Sequence, residues 1–261
     1  MLASGPQNAR NVVLLGASNL TLAWPRIMQQ LASRTSMPVN VLTAHGMGRS
    51  YLNQRSGFAF RQLPGILHCA LWDQLPAVSC DEAAPCALIT DLGNDLVYGR
   101  NPEEVAESIT ESIFRIRHWA SNVEVVITRP PVHSVSILGT LRFVGFRTII
   151  FPKCPLSLDE IKRHTEELDE RVVEIANREG VPTLTPADHW YGWDPIHYRF
   201  RYQSEAFGAM MDLWPSLTNV DKPNVGPRHP RPTAEKRWLF GREKHTPQPV
   251  VKRGETKVFA Y

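Results

Sequence analysis

VVLLGASNLTLAW, running from Val12 to Trp24, decides the fold. Four apolar residues, Val12 to Leu15, stop at Gly16, and Ala17, Ser18 and Asn19 follow before a mixed segment resumes. A short apolar run closed by glycine reads as a buried strand. A serine just past such a strand has two readings. It caps the next helix, as serine often does, or it is a nucleophile that needs partners elsewhere in the chain.

The same strand-like pattern recurs at PVNVLTA (38–44), CALITDL (86–92), NVEVVITRP (122–130) and VPTLTPA (181–187). Two well-marked helices separate the last three. One starts at Asn101-Pro102-Glu103-Glu104, where Asn suits the N-cap, Pro the first turn and the acids the helix dipole. It carries Val105, Ile109, Ile113 and Ile116 at helical spacing. The other starts at Ser157-Leu158-Asp159-Glu160, a capping-box pattern, places Ile161, Leu168, Val172 and Ile175 near one stripe, and stops at Gly180. Pro25 and Pro64 interrupt the earlier connections. Strands alternating with helices predict a three-layer α/β/α fold around a five-stranded, mostly parallel, doubly wound sheet of flavodoxin-like order. In such sheets ligands bind at the C-terminal ends of the strands.

Bulk properties narrow the class. The 261 residues are 43% hydrophobic and 21% charged, ordinary for a globular protein. No apolar run approaches the roughly 20 residues of a membrane-spanning helix. The polar start MLASGPQNARN lacks the order of a secretory signal, so the expected compartment is the cytoplasm and no membrane partner is expected. Cys69, Cys80, Cys86 and Cys154 form no Cys-x-x-Cys pair and read as small apolar side chains; neither a metal nor a cofactor is expected. The net charge of +3 is uneven: Val220–Tyr261 holds ten Lys and Arg against four Asp and Glu, leaving −3 for Met1–Asn219.

Three segments follow: a flexible N-terminus (1–10), the α/β domain (11–219) and an extended, basic, Pro-rich C-terminal tail (220–261). Trp238, Phe240, Phe259 and Tyr261 in that tail predict docking on the body or on a neighbouring chain, a route to oligomers. Nucleic acid is an unlikely partner, because no recognition motif accompanies the basic residues.

Acyl transfer on serine requires a base, an orienting acid and donors aimed at the developing oxyanion. Beyond Ser18, the second strand leads into HGMG (His45–Gly48), the third into DLGND (Asp91–Asp95) and the last precedes DPIH (Asp194–His197). With GAS (Gly16–Ser18), these blocks resemble those of the SGNH hydrolases, or GDSL-type esterases, over roughly residues 11–217. The resemblance implies a five-stranded sheet between helices and a serine hydrolase that cleaves a small-molecule carboxylic ester through an acyl-enzyme. It makes Ser18 the nucleophile, His197 the base and then the acid, and Asp194 the orienter. Ser18 N–H, Gly48 N–H and the Asn94 amide become the oxyanion donors, with Gly46 competing for the role of Gly48. Imidazole suits both proton transfers because its unperturbed pKa is about 6.5.

Ala17 stands where the family usually has Asp, Asn19 where it has an aliphatic residue, and Leu92 where it has Gly. Other readings accompany this one. Asn94-Asp95 also reads as a turn, and His197 as a buried member of the cluster Trp190, Tyr191, Trp193 and Tyr198. GAS and GMGR would serve a phosphate- or nucleotide-binding module, although neither matches a known phosphate loop. An acyl or acetyl transferase would use the same site, and a binding protein the same scaffold.

Overall fold

The five apolar runs form adjacent parallel strands of one sheet. The computed structural model describes residues 9–78, 83–217 and 229–261. In chain order the strands are β1 (Arg10–Leu15), β2 (Val39–Ala44), β3 (Arg55–Phe58), β4 (Arg61–Pro64), β5 (Cys86–Ile89) and β6 (Glu124–Thr128). They continue with β7 (Thr183–Leu184), β8 (Lys236–Leu239), β9 (Arg242–His245), β10 (Val251–Arg253) and β11 (Thr256–Ala260). The α-helices are α1 (Ser18–Ala32), α2 (Leu71–Gln74), α3 (Asn94–Val97), α4 (Pro102–Trp119), α5 (Val132–Ser136), α6 (Thr140–Ile149), α7 (Leu158–Glu179) and α8 (Gln203–Met211). None of the described helices is long and apolar enough to cross a membrane.

The central order β2-β1-β5-β6-β7 is parallel throughout, as the alternation of elements predicts. Side chains alternate across the sheet. Val13 and Leu15 face α4 and α7, meeting Ile109, Ile113, Leu168 and Val172. Val12 and Leu14 face α1 and α8, meeting Leu20, Trp24, Phe207 and Met210. Both faces are covered, which gives the three layers. Asn101 and Ser157 close capping boxes at the starts of α4 and α7, and Gly180 ends α7 in the left-handed conformation at φ 60°. Pro25 lies inside α1, whereas Pro64 ends a strand.

The C-terminal tail departs from expectation. Its described part is not an extended arm but strands, and the main sheet has seven members in the order β10-β11-β2-β1-β5-β6-β7. β11 pairs in parallel with β2, aligning Val258 with Val41 and Phe259 with Leu42. β10 returns antiparallel to β11. Val258 joins the α1/α8 side of the core and Phe259 the α4/α7 side, so a short two-residue alternation sufficed where composition spoke for disorder. Lys252 and Arg253 lie on the edge strand β10, where charge discourages further pairing.

β8 and β9 form a hairpin through Phe240 and Gly241, both at positive φ (49° and 75°), and extend the β3–β4 hairpin into a second antiparallel sheet. Of the four tail aromatics, Trp238, Phe259 and Tyr261 are buried in the body, and Phe240 stacks on Phe60 at 4.4 Å. The docking expected of them is therefore intramolecular. Arg10 already belongs to β1; the rest of the expected flexible N-terminus, through residue 8, and the Pro-rich stretch up to residue 228 lie outside the described residues.

Val258→Asp buries an unpaired carboxylate between β2 and β10. Denaturant unfolding is expected to show a loss of at least about 3 kcal/mol, against less than about 0.5 kcal/mol for Lys252→Asp at the exposed edge.

Candidate active site

Gly16, the residue that ends β1, has no room for a side chain: a Cβ would stand 2.7 Å from Thr90 Cγ2 and 2.8 Å from Leu20 Cδ1. The Gly16 N–H still continues the ladder to Ala44 O, and Thr90 N–H does the same to Leu15 O. The buried Tyr51 hydroxyl spans Leu15 O (3.1 Å) and Thr90 O (2.8 Å), pinning the ends of β1 and β5 together. From that joint Ser18 opens α1. The N-cap is Ala17, with no side-chain cap bond, so the Ser18 hydroxyl is not spent on capping.

Folding brings the hydroxyl to a partner 179 positions away: Ser18 Oγ lies 2.8 Å from His197 Nε2. His197 Nδ1 lies 2.6 Å from Asp194 Oδ2. Asp194 Oδ1 also accepts the N–H groups of Ile196 and His197, both at 3.0 Å. A carboxylate only accepts, so Nδ1 carries the proton; the neutral ring then leaves Nε2 as an acceptor for the serine O–H. Burial raises the Asp194 pKa, but the His197 hydrogen bond, its charge and the two N–H donors outweigh it, and the net shift is downward.

The turn around Ser18 is held by a carboxylate that sequence reasoning passed over. Asp91, in the left-handed region at φ 60°, accepts Ala17 N–H at 2.7 Å and Asn19 N–H at 3.1 Å on one oxygen and the Asn19 amide at 2.7 Å on the other. Burial pushes its carboxyl pKa upward, opposed by these bonds. The Asn19 amide also donates to Ile196 O at 2.9 Å and its oxygen accepts Tyr198 N–H at 2.9 Å. Asn19 thus grips the peptide groups on both sides of His197. Both residues stand in stretches singled out from the sequence; the available cue was the absence at 17 of the Asp that the resemblance implies, together with a polar residue at 19.

Asn94 and the Gly48 loop also meet. Gly46 and Arg49 close a turn, Arg49 N–H to Gly46 O, with Gly48 at φ 65° in its third position. A Cβ on Gly48 would lie 2.9 Å from Gly57 O and 3.0 Å from the Tyr98 hydroxyl, and that hydroxyl donates to Gly48 O. Asn94 Nδ2 donates to Arg49 O at 3.1 Å, which leaves one amide hydrogen. Arg49, assigned no role from sequence, is wholly buried and donates to Pro64 O at 2.8 Å, His45 O at 3.3 Å and Tyr261 O. It ties the end of the tail to the Gly48 loop. Asp95 holds the next residues through Ser50 Oγ, Tyr51 N–H and Leu52 N–H.

A cleft opens before Ser18 and Asn94, walled by Leu92, Val97, Val135, Phe151 and Ile161. Gly48 is not among the lining residues. Tyr191 and Tyr198 reach the same cleft, while Trp193 is exposed. Among the described residues no cluster of His, Cys, Asp or Glu suits a metal ion.

No family model and no curated protein matches the chain. Solved structures do. Est24, a carbohydrate acetylesterase from Sinorhizobium meliloti, is similar over 78% of this chain and 97% of its own, with TM-score 0.50 and 16% identity. The native M. Smegmatis aryl esterase is similar over 76% and 95%, with TM-score 0.49 and 17% identity. A lipolytic G-D-S-L family member from Veillonella parvula DSM 2008 is similar over 77% and 96%, with TM-score 0.47 and 10% identity. The likeness to Est24 is one of fold: a mixed α/β structure around a mostly parallel sheet.

Asn19→Leu removes the side-chain bonds to Asp91, Ile196 and Tyr198, and urea unfolding is expected to show a loss of about 1–3 kcal/mol. Combined with Asp91→Ala it is expected to cost less than the sum of the single changes, because the two share one network. Acidity provides a further check. A carboxyl lowered on folding contributes stability above its unfolded pKa and loses it as pH falls through the folded value. The difference in thermal midpoint between wild type and Asp194→Asn should therefore be present at neutral pH and shrink on acidification below the ordinary carboxylate range.

Proposed function

We propose that this chain is an SGNH-type serine hydrolase that cleaves a carboxylic ester through an acyl-enzyme intermediate. One observation carries the reading: the continuous line from Ser18 Oγ through the His197 ring to the Asp194 carboxylate, at 2.8 and 2.6 Å. The alignment of a hydroxyl on α1 with a ring and a carboxylate on a distant loop is what proton removal from serine requires.

His197 Nε2 takes the Ser18 proton as Oγ attacks the ester carbonyl. Asp194 holds the ring in the Nδ1–H tautomer and stabilises the imidazolium. The ring then returns the proton to the departing alcohol, and the same steps run with water to release the acid. Ser18 N–H is suited to the oxyanion: as the first residue of α1 it has no intrahelical acceptor, and both neighbouring N–H groups are committed to Asp91. The second Asn94 amide hydrogen, on a residue that lines the cleft, joins the Ser18 N–H, whereas Gly48 lies off the lining and is left out of the donor set. The shared fold with Est24 supplies the scaffold on which a site at the strand ends is expected.

A fluorophosphonate probe is expected to label the folded wild type and not Ser18→Ala, and a chromogenic short-chain ester to be turned over only by the former. Labelling that persists in the variant refutes the assignment. Asn94→Ala should lower turnover by about 10²–10³, and a folded wild type that neither labels nor hydrolyses any ester excludes the mechanism.

A further inference from the structure

Between β6 and α7 the chain inserts α5 and α6; α5 and the turn after α6 border the cleft, and α6 turns an apolar surface outward. At about 100° per residue, Leu141, Val144 and Thr148 share one stripe of α6 with Ile149 beside it. Phe143, Phe146 and Ile150 share the opposite one. The inner stripe is packed: Phe146 is buried against Trp193, and Phe143 rests on a small cluster of Val135, Cys154 and Ile161. The outer stripe is bare. Leu141 is 91% exposed, Ile149 69% and Val144 53%. Solvent-facing helices normally place charge there, and adjoining apolar residues of this size mark an interaction surface.

Charge indicates what meets that surface. From Val125 to Leu158 there is no Asp or Glu, while Arg142, Arg147 and Lys153 are cationic. The cap is basic although Met1–Asn219 as a whole carries −3. Arg142 and Arg147 fall on the two borders between the stripes, and Arg142 spends its donors on the carbonyls of Gly192 and Trp193, which leave its charge uncompensated. An apolar face bordered by cations is the pattern of a helix that lies in a lipid–water interface. The cap also builds the site: Val135 and Phe151 belong to it and line the cleft before Ser18.

We propose that the outer face of α6 docks on an anionic lipid surface and that the cleft takes the acyl chain of an ester drawn from it. The substrate part rests on the hydrolase reading. The docking part revises the expectation of no membrane partner, which followed from the lack of a spanning segment and not from the surface.

The test is sedimentation of full-length Ser18→Ala protein with vesicles of phosphatidylcholine alone or with about one-third phosphatidylglycerol. Binding is expected to be stronger to the anionic vesicles and to weaken with salt. Leu141→Glu/Ile149→Glu should weaken it by at least about tenfold, and Arg147→Glu should remove the preference for anionic lipid. With Ser18 intact, the double variant should keep the wild-type thermal midpoint and hydrolyse a soluble short-chain ester within about twofold of wild type. Equal sedimentation of parent and double variant, or none by either, overturns the proposal. So does a dimer of the parent that the double variant dissociates, since a second copy then covers the face. Sedimentation reads no turnover: failure of probe labelling with vesicle binding intact removes the hydrolase alone, and labelling without vesicle binding removes the lipid surface alone.

Discussion

A partly buried carboxylate that accepts three N–H hydrogen bonds organises this molecule's cleft. Asp91 leaves the end of β5 in a left-handed conformation and receives the backbone N–H groups of Ala17 and Asn19, at the start of α1, and one from the Asn19 amide. The desolvation of such a group is costly unless each oxygen is bonded, so the turn, the strand end and the amide hold one another in place. Asn19 carries the constraint on to Ile196 O and Tyr198 N–H. The position of the His197 ring relative to the Ser18 hydroxyl is thereby set by bonds to the flanking backbone as well as by the imidazole's own contacts.

The second organising element is the C-terminal segment. β11 covers the edge of β2, the strand that leads into the Gly48 loop, and Tyr261 N–H bonds Thr43 O near the end of that strand. The Arg49 guanidinium then joins Tyr261 O to the carbonyls of His45 and Pro64. A buried guanidinium among carbonyls fixes several backbone segments at once through its rigid fork of donors. The tail is therefore part of the framework behind the site. The cap formed by α5 and α6 contrasts with it: α5 packs on α7, while the outer face of α6 has no partner among the described residues.

The central five strands were legible because each is a short apolar run bounded by turn residues, and α4 and α7 because cap, stripe and stop agree. These are local signals, and burial on both faces of a parallel sheet reinforces them. Ser18, Asn94, Asp194 and His197 were legible as blocks after successive strands. That His197 Nε2 stands 2.8 Å from Ser18 Oγ was not, since it depends on the placement of a loop 179 positions away.

The sequence by itself determined the alternation of elements, hence the parallel order of the central sheet and the end of it at which polar residues gather. Tertiary structure alone decided that a basic, Pro-rich segment would supply two further strands, because pairing with β2 depends on an open edge and not on composition. It also decided which carboxylate would anchor the turn at Ser18. Ala17 brings no carboxylate to that turn; one comes from residue 91, and only the meeting of β1 and β5 brings the two within hydrogen-bond reach.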